Sequence, residues 1–131
     1  MGLRIRIYSF SYLRSGVPED ETSNGGGFIF DCRFIENPGR HSEFMPFTGK
    51  DKPVWDFLEN DREMKQFLKN VFDIVGQALK KYLSRGFTDL MVGFGCTGGH
   101  HRSVYAAEKL KSHIEQNFKD VSVTLRHQDL F

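Results

Sequence analysis

The sequence has almost no cysteine: Cys32 and Cys96 are the only thiols in 131 residues. Two isolated thiols cannot make a disulfide framework, so the fold has to rest on an apolar core, and a reducing, cytoplasmic setting is expected. Long apolar runs are missing as well. No stretch approaches the ~20 residues that cross a bilayer, so no membrane partner is expected. The first residues, Met1 to Arg6, alternate charged and apolar side chains and contain no apolar core of a secretion signal. Arg6 also stands where a myristoylation signal would carry Ser or Thr. Nor is there a charge excess: 18 basic against 17 acidic residues leave a net charge of +1. Lys80, Lys81, Arg85, Lys109 and Lys111 are interleaved with acidic or apolar positions, as on solvated helix faces, rather than gathered into the stripe of a dedicated nucleic-acid binder.

What is present is bulk for a core. Thirteen phenylalanines, four tyrosines and one tryptophan fill a chain of ordinary single-domain length. Such a chain buries roughly 65–70% of the surface it exposes when unfolded. Leu3 to Phe10 alternates, with Leu3, Ile5 and Ile7 on one side, and reads as a half-buried strand. Ser11 to Gly27 is a glycine-punctuated loop, and Phe28 to Phe34 a short second strand. Asn37 to Pro53 is irregular, and its length marks it as functional rather than a simple turn. Pro53 suits the first turn of a helix that Asp51 could cap. From Asp61 to Arg85, Met64, Phe67, Leu68, Val71, Phe72, Val75, Leu79, Tyr82 and Leu83 follow helical spacing as one apolar stripe, and Gly86 suits the C-terminal cap. Leu90 to Phe94 is a continuous apolar run, as expected of a central strand buried on both faces. A second amphipathic helix runs from about Arg102 to Phe118, and Val121 to Leu125 alternates as a last strand. This order of elements predicts one α/β domain over residues 1–131, a sandwich with a mostly parallel sheet.

Chemistry concentrates in Gly95-Cys96-Thr97-Gly98-Gly99-His100-His101-Arg102-Ser103, between the buried strand and the second helix. Ligands of open α/β sheets bind outside the carboxyl ends of the strands. Adjacent glycines let the backbone turn its N–H groups inward, and the following helix adds about half a positive charge at its N-terminus. Arg102 and His101 supply side-chain donors, and a guanidinium matches a phosphate bidentately. The string therefore reads as an anion cradle. It is not a Walker A loop, because the Gly-Lys-Ser/Thr ending is absent, so no nucleotide hydrolysis is expected.

Cys96-x5-Arg102-Ser103 also has the spacing of cysteine-dependent phosphatases. In that alternative Cys96 attacks phosphorus, Arg102 clamps the phosphoryl oxygens, Ser103 assists the leaving thiolate, and Asp31 or Asp51 is the general acid. Gly95 stands where those enzymes usually carry histidine, and His100 and His101 are bulky for such a loop. His41, His100, His101, Asp31 and Cys96 show no recognised metal-ligand spacing, so neither a metal nor another cofactor is expected.

Gly95 to Tyr105 resembles the signature of the C-terminal domain of the RapZ/YvcJ-type RNase adapter family. Matches continue at Ser9-Phe10 with Tyr12, Gly16 and Pro18, at Phe30-Asp31-x-Arg33-Phe34, at Asn37-Pro38, at Thr48-Gly49-x-Asp51-Lys52-Pro53-Val54 and at Arg126-His127. The resemblance implies a fold similar to a phosphofructokinase subdomain. It implies that Thr97, Gly98, Gly99, His101 and Arg102 hold a phosphate, with His100 and Ser103 in the same loop. Asp31, Arg33 and Asn37 would line the cleft, with His41 nearby. Family members carry an N-terminal P-loop domain that is absent from this sequence. In the enterobacterial branch the domain senses an amino-sugar phosphate and binds small RNA. Here the residues after Arg126-His127 are Gln128-Asp129-Leu130-Phe131, with no basic tail, so RNA binding transfers least. The resulting expectation is a regulatory module for a phosphorylated small molecule or inorganic anion. A phosphatase-like enzyme and an RNA-binding adapter are the alternatives, and a homo-oligomer could pool basic patches for the latter.

Overall fold

The computed structural model describes residues 2–130. Its strands are β1 (Leu3–Ser11), β2 (Phe28–Asp31), β3 (Asp89–Cys96) and β4 (Val121–His127); its helices are α1 (Lys52–Glu59), α2 (Arg62–Arg85) and α3 (Arg102–Asn117). The strands form one sheet in the order β2-β3-β1-β4, and every neighbouring pair is parallel. The α/β sandwich expected from the element order is present, with the sheet wholly rather than mostly parallel. No helix among the described residues is long and apolar enough to cross a membrane.

Local chemistry sets the boundaries. At the start of α2 the Asp61 carboxylate accepts from the Met64 amide at 2.8 Å, and at its end Gly86 adopts φ 70°, the left-handed cap that side chains resist. Met64, Leu68, Val71, Val75 and Leu79 form its buried stripe, whereas Phe67, Phe72 and Tyr82 of the expected stripe flank it half-buried and Leu83 is exposed. Strand β2 stops three residues earlier than its composition suggests. Asp31 Oδ1 accepts the Arg33 amide at 2.9 Å and bends the chain after a last ladder bond from Cys32 N to Gly95 O, so Phe34 ends exposed. Asp51 does sit at the cap position of α1, but its side chain makes no bond to the helix. Its carboxylate turns back to the Thr48 amide at 2.8 Å.

The two faces of the sheet are dressed differently. Leu3, Ile5 and Ile7 of β1, Leu90, Val92, Phe94 and Cys96 of β3, and Val121 of β4 join the buried residues of all three helices in a single apolar cluster. On the opposite face Arg6 is buried among Asp89, Asp20, Tyr8 and Thr22. There the cover is residues 12–27 rather than a helix: Asp20 and Thr22 reach Arg6, and Tyr12 packs edge-on against Phe10. One crossover handedness explains this division. The moves from β2 to β3 and from β3 to β4 run in one direction across the sheet, and both carry helices. The move from β1 to β2 runs the other way and therefore crosses the other face. The central strand β3 is buried on both sides, as its apolar run implies, although only one side is covered by helices.

Candidate functional site

Strand β3 delivers the chain to Cys96, and α3 takes it up at Arg102, leaving Thr97 to His101 as the connecting loop. Gly99 makes the turn at φ 73°, in the left-handed region. A Cβ there would lie 3.0 Å from Ser11 N, Ser11 Cβ and Asp129 Cβ, so a side chain would have to push these neighbours aside as well as hold a strained conformation. Ser11 Oγ donates to the Thr97 carbonyl at 2.6 Å and draws that oxygen toward β1. The first helical bond of α3 is Tyr105 N to His101 O, 2.9 Å. Among the described residues no acceptor lies on the amides of Thr97 through Val104. A run of orphan N–H groups at a helix N-terminus, with the helix dipole behind it, gives positive potential there.

Arg102 is placed beside this loop but is already engaged. It is 4% exposed, and its Nη1 donates to the carbonyls of Arg33 at 2.8 Å and Ile35 at 2.9 Å. Its Nη2 makes a 3.5 Å contact with Thr97 Oγ1, and its Nε is buried with no partner among the described residues. The guanidinium thus ties the segment after β2 to the start of α3, while Nη2 reaches the loop at Thr97 and Nε stays enclosed without a partner among the described residues. An open bidentate fork is not the geometry present.

The remaining predicted residues divide into near and far. Thr97 and Gly98 are exposed, and His100 is half-buried, with its carbonyl accepting from Gly49 N at 2.7 Å. His101 is tucked under the 37–49 segment: its Nε2–H donates to Phe44 O at 3.1 Å, and a Cβ on Gly39 would lie 3.5 Å from its Nδ1. Burial pushes its pKa below the usual histidine range, so it stands there as neutral imidazole. Asn37 is nearby, but its Oδ1 accepts from Gly39 N at 2.9 Å and shapes the turn. Asp31 and Arg33 pair with each other, Nη2 to Oδ2 2.8 Å, and Arg33 lies over the Tyr12 ring. That pairing holds the Asp31 carboxyl below its ordinary pKa. His41 packs against Phe44 and Phe57 and faces Glu36 at 3.8 Å, one shell removed from the loop. Cys96 is 2% exposed, and its Sγ lies 3.1 Å from Ser103 Oγ, also buried. Among the described residues no three His, Cys, Asp or Glu side chains are gathered as a metal site.

The loop has a floor that sequence reasoning missed. Asp129, 3% exposed, accepts from Ser11 N at 2.7 Å and Ser15 Oγ at 2.6 Å. Just below, Ser9 Oγ bonds His127 Nδ1 at 2.6 Å, and His127 Nε2 donates to Glu108 of α3 at 2.7 Å. A signal was available: the core-facing positions of β1 read Leu3, Ile5, Ile7 and then Ser9, Ser11. Apolar gives way to hydroxyl where the strand reaches the site.

The comparisons accord with this architecture. The model of the RapZ C-terminal domain family matches residues 3–131. A protein described as a nucleotide-binding protein from Thermosipho melanesiensis is 42% identical over 127 residues, covering 97% of this chain and 42% of that protein. Proteins of the same description from Glaesserella parasuis and Corynebacterium glutamicum are 40% and 39% identical, over 98% and 96% of this chain and 42% and 38% of theirs. The chain thus spans about two fifths of the length of the curated relatives it matches. From residue 3 to residue 131 the chain belongs to the RapZ C-terminal domain family.

Proposed function

We propose that this domain is an anion-binding regulatory module. Its loop from Thr97 to Arg102 takes the phosphate of a small molecule, of which an amino-sugar phosphate is the expected kind, and occupancy of the loop is passed to a partner. The observation that carries this reading is the run of amides from Thr97 through Val104 without acceptors among the described residues, at the N-terminus of α3. The buried, unpartnered Nε of Arg102 adds to it. Backbone donors fixed by β3 and α3 need little reorganisation to receive an oxyanion.

The phosphatase alternative is less well supported. Its nucleophile would be a thiol that is 2% exposed, belongs to the apolar cluster and already contacts Ser103. A nitrophenyl phosphate assay of the wild type against Cys96→Ser is expected to show no Cys96-dependent turnover.

Calorimetry tests the binding reading directly, with glucosamine 6-phosphate and inorganic phosphate as probes and Gly99→Ala as the variant. A side chain at Gly99 must displace Ser11 or Asp129 and abandon φ 73°. The expected results are saturable binding by the wild type and a loss of about tenfold or more in the variant. Equal affinity of the two proteins would remove the loop from the account.

A further inference from the structure

The loop that receives the anion is built beside a buried carboxylate, a combination that plain anion attraction does not explain. Asp129 follows β4, and the Gln128 amide still bonds Ser9 O at 2.9 Å, so the ladder holds the side chain in place. Its Oδ2 accepts both Ser11 N–H and Ser15 O–H. Among the described residues Oδ1 accepts nothing, and it is not among the sealed, unpartnered polar atoms either. Asp129 Cβ is 3.0 Å from where a Gly99 Cβ would be, which puts the carboxyl within one side-chain length of the turn that exposes the amides. Arg102 stands beside the same helix start, 4% exposed, with Nη2 3.5 Å from Thr97 Oγ1 and Nε without a partner among the described residues.

Resting on the anion-binding reading above, the geometry points to Asp129 as a specificity-determining residue that selects protonated oxyanions. A carboxylate can only repel a fully ionised anion such as sulfate, but it accepts a hydrogen bond from an anion that keeps an O–H. Inorganic phosphate keeps one at neutral pH; a phosphomonoester keeps one only as its monoanion, the minor form above a second pKa of about 6, so a sugar phosphate is taken in that form and more tightly as pH falls toward that value. The amides and Arg102 supply attraction for any oxyanion, and Asp129 Oδ1 decides among them. The discrimination is large, because the wrong ligand leaves Oδ1 facing like charge with no donor.

The test is titration calorimetry of wild type, Asp129→Asn and Ser15→Ala with inorganic phosphate and sulfate at pH 7 and matched ionic strength, each protein's fold checked by thermal melting. The wild type is expected to prefer phosphate by about tenfold or more. Asp129→Asn can still offer its carbonyl to Ser11 and Ser15, and it should lose the preference chiefly by gaining sulfate affinity. Ser15→Ala keeps the charge and should keep the preference. Equal binding of the two anions by the wild type overturns the inference while leaving the anion-binding reading intact. A preference unchanged in Asp129→Asn, or lost in Ser15→Ala, overturns it too. Binding of neither anion by the wild type removes both.

Discussion

Arg102 shows how one residue can serve two ends. Its buried guanidinium lies beside the loop that leads into α3, yet Nη1 is spent on two carbonyls of the segment after β2. Removing it strands one acceptor in a buried place and the other in a part-buried one, and each costs about 1–3 kcal/mol. Arg102→Ala should therefore lower stability by about 2–6 kcal/mol in urea unfolding. A change under about 0.5 kcal/mol would mean that water replaces the guanidinium without loss. Arg102 and the glycines were legible in the sequence because turn and helix start are local chemistry written in consecutive residues. Asp129 was not, since it meets Ser11 only through pairing of β1 with β4, across 118 positions. The open fork expected of Arg102 failed for the same reason: nothing near it in the chain names the carbonyls of Arg33 and Ile35.

Elements were legible where period and punctuation agreed. The buried stripe of α2 repeats at helical spacing between Asp61 and Gly86, and the apolar run of β3 gave a central strand. The end of β2 was misplaced because Asp31 captures the Arg33 amide, a side-chain choice that strand propensity does not encode. The outer face of β1 carries a further consequence. Arg6 bonds Asp89 at 2.8 Å and Asp20 at 2.7 Å, holding residues 12–27 against the sheet. The hydrogen bonds from Arg6 keep the Asp89 carboxyl below its ordinary pKa. A carboxylate with a depressed folded pKa adds stability that is present above the unfolded value, near 4, and is lost as pH falls through the folded one. Asp89→Asn should thus destabilise by about 2 kcal/mol at pH 7, with Asp20 still holding Arg6, and should shrink the gap to wild type below pH 4. A gap that persisted undiminished at pH 2 would assign the effect to packing instead.

At the scale of the whole molecule, a parallel sheet in the order β2-β3-β1-β4 sends every strand's carboxyl end to one edge. The loop after β3, the turn after β2, the hydroxyls ending β1 and Asp129 after β4 therefore meet there without being neighbours in sequence. The helices occupy one face, and the single reversed crossover lays residues 12–27 on the other. What the fold contributes to function is placement: a rigid strand and a rigid helix hold a short loop whose amides have no acceptors among the described residues. Amide chemical shifts followed during titration with inorganic phosphate test this most directly. The account predicts saturable shifts concentrated on the amides from Thr97 through Val104 and on Arg102 Nε–H, while α2 stays still. Saturation that left those signals unmoved, or moved only residues of the outer sheet face such as Arg4 and Arg126, would contradict it.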